Sequence, residues 1–126
     1  MALSALTALV VDDSAAMRGQ LSLALRRIGL DVAEAADGAD AWRSLQRRRA
    51  DILLTDVNMP RMDGLKLVGL VRSGGAHAQT PIVVITTEAA DEDRRRAIAL
   101  GASGYLVKPV QGDEVARLVR DLLGIP

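Results

Sequence analysis

Five short aliphatic runs punctuate this chain, and each stops abruptly at polar residues. Ala8 to Val11 ends at Asp12-Asp13, Leu30 to Ala35 gives way to Asp37-Gly38, Asp51 to Thr55 ends at Asp56, Pro81 to Thr86 at Thr87, and Ser103 to Val107 at Lys108. Runs of this length read as strands, and those without polar alternation read as strands buried on both faces. Between them lie stretches with helical spacing. Met17, Leu21, Leu25 and Ile28 share one stripe, as do Ala41, Trp42 and Leu45, then Leu65, Val68 and Val71. Ala89 to Leu100 and the stretch holding Val115, Leu118, Val119 and Leu122 complete the set. Ser14 is placed to cap the first helix, and Gly29 and Gly101 to stop the first and the fourth. Asp37-Gly38 reads as a turn and Asn58 to Gly64 as a loop.

Strand and helix alternating at this spacing imply parallel strands joined by right-handed crossovers. Five units are too few to close an eightfold barrel. The expected architecture is α/β: an open, doubly wound, five-stranded parallel sheet with helices on both faces. The 126 residues amount to a single domain, expected to span 1–126, with no room for an output domain after the fifth helix.

Composition removes several function classes. Sixteen basic residues balance sixteen acidic ones, which argues against a broad nucleic-acid or anionic-membrane surface. There is no cysteine, so disulfides, thiolate metal sites and cysteine nucleophiles are excluded. With no Phe, one Trp and one Tyr, the chain lacks the aromatic walls that stack a flavin or a base. No apolar run is long enough to span a bilayer and the N-terminus carries no secretory pattern, so a cytoplasmic location is expected.

In an open α/β sheet, sites form beyond the carboxyl ends of the strands. The polar interruptions fall there: Asp12 and Asp13 after the first strand, Asp56 after the third, Thr86 and Thr87 at the fourth, Lys108 at the fifth. Three carboxylates close together repel one another, and a divalent cation relieves that repulsion. Hard oxygen donors without His or Cys favour Mg²⁺. A lysine and a hydroxyl opposite the metal suit a phosphoryl group, and a carboxylate can itself be the nucleophile, forming an aspartyl-phosphate. Singly, each residue has an ordinary reading as a cap, a turn or a local hydrogen bond; their meeting on one rim does not. His77 reads as incidental in a polar loop, Arg94-Arg95-Arg96 as a solvated helix face, and Trp42 as packing.

These same residues are the ones by which the chain resembles the CheY-like receiver domain of two-component response regulators. Leu9 to Ser14 is similar to the family's acidic-pair motif, Met17-Arg18 continues it, and Asp37-Gly38 followed by Ala41 resembles its second-helix entry. Leu54 to Pro60 with Met62-Asp63-Gly64 resembles its phosphoacceptor loop, Pro81 to Thr86 its switch strand, and Gly101 to Pro109 its fifth strand and Lys-Pro end. CheY is itself the standard example of the flavodoxin-like (βα)5 strand order 2-1-3-4-5, so that order comes with the resemblance.

Position by position, the resemblance implies that Asp56 accepts a phosphoryl group from a sensor histidine kinase or phosphotransfer domain. It implies that Asp13, Asp56 and the backbone carbonyl of Asn58 hold Mg²⁺ directly, and that Asp12 acts through water. Lys108 pairs with Asp56, and its bond to Pro109 is cis. Thr86 moves to the phosphoryl oxygen and Tyr105 turns into the space it leaves. Asn58, Thr87 and Glu88 tune hydrolysis. The face formed by the fourth helix, fifth strand and fifth helix meets a downstream protein, with no direct nucleic-acid contact and no membrane insertion. The implied function is a signalling switch rather than an enzyme, catalysing only its own phosphotransfer and autodephosphorylation. Thr87, where a small residue is usual, Val57 and Val110 depart from the commonest pattern. They bear on a chemotaxis role rather than on the family. A stand-alone regulator and a receiver domain excised from a longer regulator or hybrid kinase both remain open. A small phosphatase is disfavoured because Asn58 stands where its second carboxylate would be. A flavin carrier is disfavoured by the absent Gly-rich loop.

Overall fold

The alternation along the central strands decides the layers of the fold. In the computed structural model, which describes residues 5–59, 62–87 and 91–126, the strands are β1 (Thr7–Val11), β2 (Asp31–Ala35), β3 (Ile52–Asp56), β4 (Ile82–Thr86) and β5 (Gly104–Val107). The helices are α1 (Ala15–Arg27), α2 (Gly38–Arg47), α3 (Gly64–Arg72), α4 (Asp91–Leu100) and α5 (Gly112–Leu123). All pairings are parallel, in the order β2-β1-β3-β4-β5.

Because successive side chains point to opposite faces, Leu9, Val11, Leu53, Ile82 and Val84 enter one core layer with residues of α2, α3 and α4. Ala8, Val10, Ile52, Leu54, Val83 and Ile85 enter the other with α1 and α5. Every residue of β3 and β4 is buried, which is why these strands read as unbroken aliphatic runs. β2 and β5 are the edges and alternate only weakly. Among the described residues no helix is long and apolar enough to cross a membrane.

Three helices start on side-chain caps: Ser14 accepts from the Met17 N–H, Asp37 from Asp40, and Asp63 from Lys66. Asp37-Gly38 is therefore the start of α2, as its resemblance to the family's second-helix entry implies, rather than a free turn, and Gly64 is the first residue of α3 rather than the end of a loop. Gly38 leaves no room for a side chain, since an added Cβ would lie 2.5 Å from the Met62 carbonyl oxygen. Of the expected fourth helix, the stretch from Asp91 is helical, and Ala89 and Ala90 lie outside the described residues. Trp42 is half-buried against the first core layer, as expected.

Two polar residues tie the amino ends of the strands together. His77 is not incidental: it is only 8% exposed, and its Nε2 accepts a hydrogen bond from the Ala50 N–H at 3.1 Å, just ahead of β3. Arg72, at the end of α3, donates from Nε to the Gly101 carbonyl (2.9 Å) and from Nη1 to those of Ala78 (3.1 Å) and Thr80 (2.6 Å). Burial lowers its pKa, and carbonyl dipoles rather than a carboxylate receive its charge. Arg72→Met is expected to lose about 2–3 kcal/mol of stability in urea unfolding, because it leaves several carbonyls without the charged donor they share.

Candidate functional site

Parallel strands deliver their carboxyl ends to one rim, and the end residues of β1, β3, β4 and β5 meet there. Asp12 continues β1, its N–H donating to the Ala35 carbonyl (3.2 Å). Its side chain is 1% exposed. Oδ1 accepts from the Ser14 N–H at 2.8 Å and Oδ2 from Lys108 Nζ at 2.9 Å. Arg18 Nη1 donates to its carbonyl oxygen at 2.7 Å. Asp12 is thus fixed in place, whereas Asp13 points to solvent.

Asp56 closes β3 and is 7% exposed. Its Oδ1 accepts from the Val57 N–H at 2.8 Å, and its Oδ2 lies 3.5 Å from Lys108 Nζ. The turn behind it is tight: the Gly64 N–H donates to the Val57 carbonyl at 2.9 Å. Burial raises the Asp56 pKa above the ordinary aspartate value. The charge of Lys108 works against that rise and the charge of Asp12 adds to it. For Lys108, burial pulls the pKa down, but the hydrogen bond to Asp12 and the charges of both carboxylates outweigh it, so the net shift is upward. The pair leans toward Asp12 rather than Asp56. Asp12 is the more deeply buried carboxylate, and after the Ser14 N–H takes one of its oxygens, Lys108 serves the other.

Asp12, Asp13 and Asp56 each bring a carboxylate oxygen within 4.8 Å of the other two. The donors are all hard oxygens; the single histidine, His77, is bonded to Ala50 ahead of β3, at the opposite end of that strand. One member of the trio opens to water. That set fits Mg²⁺, which takes one or two carboxylates and keeps much of its own hydration.

Thr86 ends β4 and is fully buried. Its carbonyl accepts from the Lys108 N–H at 2.7 Å, so the backbone joins the threonine to the lysine. The Lys108-Pro109 bond is cis. Tyr105 is half-buried against the first core layer. Asn58 and Thr87 are exposed beside the acceptor strand ends, and Glu88 lies outside the described residues. Arg94, Arg95 and Arg96 are all exposed on α4, as a solvated face should be. Sequence reasoning missed the structural parts around the site. The Asp63 cap and the close approach of Gly64 carry no periodic signal, although Asp-Gly ahead of an apolar stripe is a helix-start pattern.

Known proteins resemble this chain in sequence and fold. The response regulator receiver domain family matches residues 8–120. A chemotaxis protein CheY homologue of Campylobacter jejuni is 39% identical over 92% of this chain and 91% of its own length. The gliding motility regulatory protein of Myxococcus xanthus is 38% identical over 94% of the chain, which spans 15% of that longer protein. Among solved structures, Vibrio cholerae chemotaxis protein CheY4 superposes with a TM-score of 0.89 at 36% identity, covering 94% of this chain and 99% of that one. The receiver domain of a Pseudomonas aeruginosa sensor histidine kinase, solved with a magnesium ion coordinated in its active site cleft, superposes with a TM-score of 0.87 at 30% identity, covering 96% and 99%. With its acidic trio, lysine and threonine at the carboxyl rim of a 2-1-3-4-5 sheet, this chain belongs to the CheY-like response regulator receiver domains of two-component signalling.

Proposed function

We propose that the chain is a phosphorylation-dependent switch in which Asp56 accepts a phosphoryl group from the phosphohistidine of a sensor histidine kinase or phosphotransfer domain. One observation carries this reading: three carboxylates lie within 4.8 Å of one another, with Lys108 Nζ between Asp12 and Asp56. Asp13, Asp56 and the backbone carbonyl of Asn58 would hold Mg²⁺ directly and Asp12 through water, and the ion would supply positive charge to the transferring group. An Asp56 oxygen attacks phosphorus, the P–N bond breaks, and the imidazole leaves with the bonding pair. Lys108 neutralises charge on the phosphoryl oxygens, and the Thr86 hydroxyl moves to hydrogen-bond one of them. Tyr105 then turns inward. Asn58, Thr87 and Glu88 set how fast water removes the group.

Output runs through the face of α4, β5 and α5, where Ile98, Leu100 and Val107 are exposed apolar residues beside Tyr105 and the exposed Arg94, Arg95 and Arg117. A stand-alone regulator, of chemotaxis type or another, is favoured by the 91% coverage of the Campylobacter jejuni homologue. The alternative, the receiver of a longer regulator, is favoured by the Myxococcus xanthus match.

Incubation with acetyl phosphate and Mg²⁺ is expected to add one phosphoryl group by intact mass. The adduct should decay with time and be absent with a chelator. Failure to take phosphate from acetyl phosphate, from phosphoramidate and from any histidine kinase tried, together with no binding of Mg²⁺ and beryllofluoride, would overturn the reading. Thr86→Ala should still be phosphorylated. Its inward–outward equilibrium at Tyr105, read by NMR on beryllofluoride addition, should shift about tenfold less, the worth of one charge-assisted hydrogen bond.

A further inference from the structure

The three arginines of α4 are alike in sequence but not in placement. Arg96 lines a cavity of about 230 Å³ with Asn58, Val57, Thr86, Asp63 and Asp93. Arg94 and Arg95 are exposed and do not reach it. The cavity is lined by neighbours of the acceptor rather than by Asp56 itself. Val57 donates its N–H to Asp56 Oδ1 at 2.8 Å, Asn58 is the next residue, and Thr86 follows the Ile85 that pairs with Asp56 across the sheet. Among the described residues no carboxylate forms an ion pair with Arg96. Asp63, across the cavity, is engaged as the α3 cap, accepting from the Lys66 N–H at 2.8 Å. Arg96 is the only cation of the cavity wall among the described residues.

A two-state switch responds to phosphate only through contacts that are better in one state than in the other. Thr86 gives such a contact to β4, and Lys108 to the end of β5. Nothing so far gives one to α4, although α4 forms part of the output face. We propose that Arg96 is the positioning residue through which α4 senses the phosphoryl charge: the guanidinium swings through the cavity toward the anion on Asp56 and draws α4 with it. The proposal rests on Asp56 being the acceptor. Phosphorylation adds a strongly anionic group. Among the described residues no ion pair holds Arg96 in the resting state, so the added charge changes its balance.

The test is titration with Mg²⁺ and beryllofluoride, a phosphoryl mimic, at low and high salt. Arg96→Gln should weaken beryllofluoride binding about twofold to fivefold, the range of an exposed ion pair, and high salt should erase the difference. Affinity for Mg²⁺ alone should not change. Arg96→Lys should restore most of the loss, and Arg95→Gln should match the unsubstituted protein. NMR shifts of α4 amides on beryllofluoride addition should shrink in Arg96→Gln while those of β5 persist. Equal beryllofluoride affinity in Arg96→Gln and the unsubstituted protein overturns the proposal. So does an equal loss in Arg95→Gln, which would mark a diffuse field rather than a placed contact. An unsubstituted protein that binds no beryllofluoride, or an Asp56→Asn protein that binds it equally well, overturns the acceptor reading instead, and the role of Arg96 falls with it.

Discussion

Gly64→Ala is expected to cost about 3 kcal/mol or more of stability, a loss at the upper end for overpacking. A Cβ at position 64 would sit 2.0 Å from the backbone oxygen of Asp56, 2.9 Å from its carbonyl carbon and 3.1 Å from Val57 Cα. These are main-chain atoms and cannot turn aside as a flexible side chain would. Either the end of β3 or the first turn of α3 must move, breaking the 2.9 Å hydrogen bond from the Gly64 N–H to the Val57 carbonyl. The same shift moves the Asp56 carboxylate away from Asp12 and Lys108, so Mg²⁺ affinity should fall along with stability. Gly69→Ala is the matched control. It lies in the same helix with nothing within 4 Å of the added atom, and should gain about 0.5–1 kcal/mol by restricting the unfolded chain. Urea unfolding of both proteins separates the steric effect from helix propensity. A Gly64→Ala protein as stable as the unsubstituted one would rule out so close an approach.

Asp56→Asn should have the opposite sign for stability and the largest effect on function. Burial and the charge of Asp12 raise the Asp56 pKa despite Lys108. The folded chain therefore holds this proton to higher pH than the unfolded chain does. Stability contributed by the protonated form is present below the ordinary aspartate pKa and is lost as pH climbs from there through the folded value. At neutral pH the ionised carboxylate is a standing cost. Removing it should stabilise the protein by about 0.5–2 kcal/mol, the usual gain from relieving a functional site. The gain should shrink toward acid pH, where the unsubstituted side chain becomes neutral as well. Lys108 keeps its 2.9 Å partner Asp12, so the substitution strands no cation. The raised Lys108 pKa carries the same sign in a different pH window. Its ion pair contributes in full below the ordinary lysine value and is lost only as alkaline pH rises through the folded one. On the proposed reading, saturating Mg²⁺ stabilises the unsubstituted protein by about 2.7 kcal/mol at a hundredfold excess over Kd, and Asp56→Asn loses most of that increment. Thermal scans across pH, with and without Mg²⁺, read all of these effects.

The parts of the molecule legible in the sequence are those governed by local repetition. Leu9 to Val11, Ile52 to Leu54 and Ile82 to Ile85 announce buried strands because every residue in them is apolar, and a parallel sheet covered on both faces requires that. The rim residues are legible for a related reason. Asp12, Asp56, Thr86 and Lys108 are polar residues within two positions of the ends of such runs, and a parallel sheet delivers all of its strand ends to one side. What escaped is set by contacts across the fold. His77 pairs with Ala50, 27 positions away, and Arg72 reaches Gly101, 29 positions away. No window of sequence contains both partners. Asp37 and Asp63 act as helix caps in the structure, but Asp-Gly also reads as a turn, and only the helix that follows settles which it is. Every strand differs from its sequence bounds by one residue at an end: β1 begins at Thr7 rather than Ala8, β2 at Asp31 rather than Leu30, β4 at Ile82 rather than Pro81 and β5 at Gly104 rather than Ser103, while β3 runs Ile52–Asp56 rather than Asp51 to Thr55. Arg96 separates from Arg94 and Arg95 only once α4 is laid against the loop after β3.

Chemical mapping of the acceptor tests Asp56 most directly. The protein is phosphorylated with acetyl phosphate and Mg²⁺, reduced with borohydride to convert an acyl phosphate into homoserine, then digested and sequenced by mass. Homoserine at position 56 alone, with no phosphoryl adduct in Asp56→Asn, is the predicted result. Homoserine at Asp12, Asp13 or any other carboxylate, or an adduct of undiminished yield in Asp56→Asn, would contradict it.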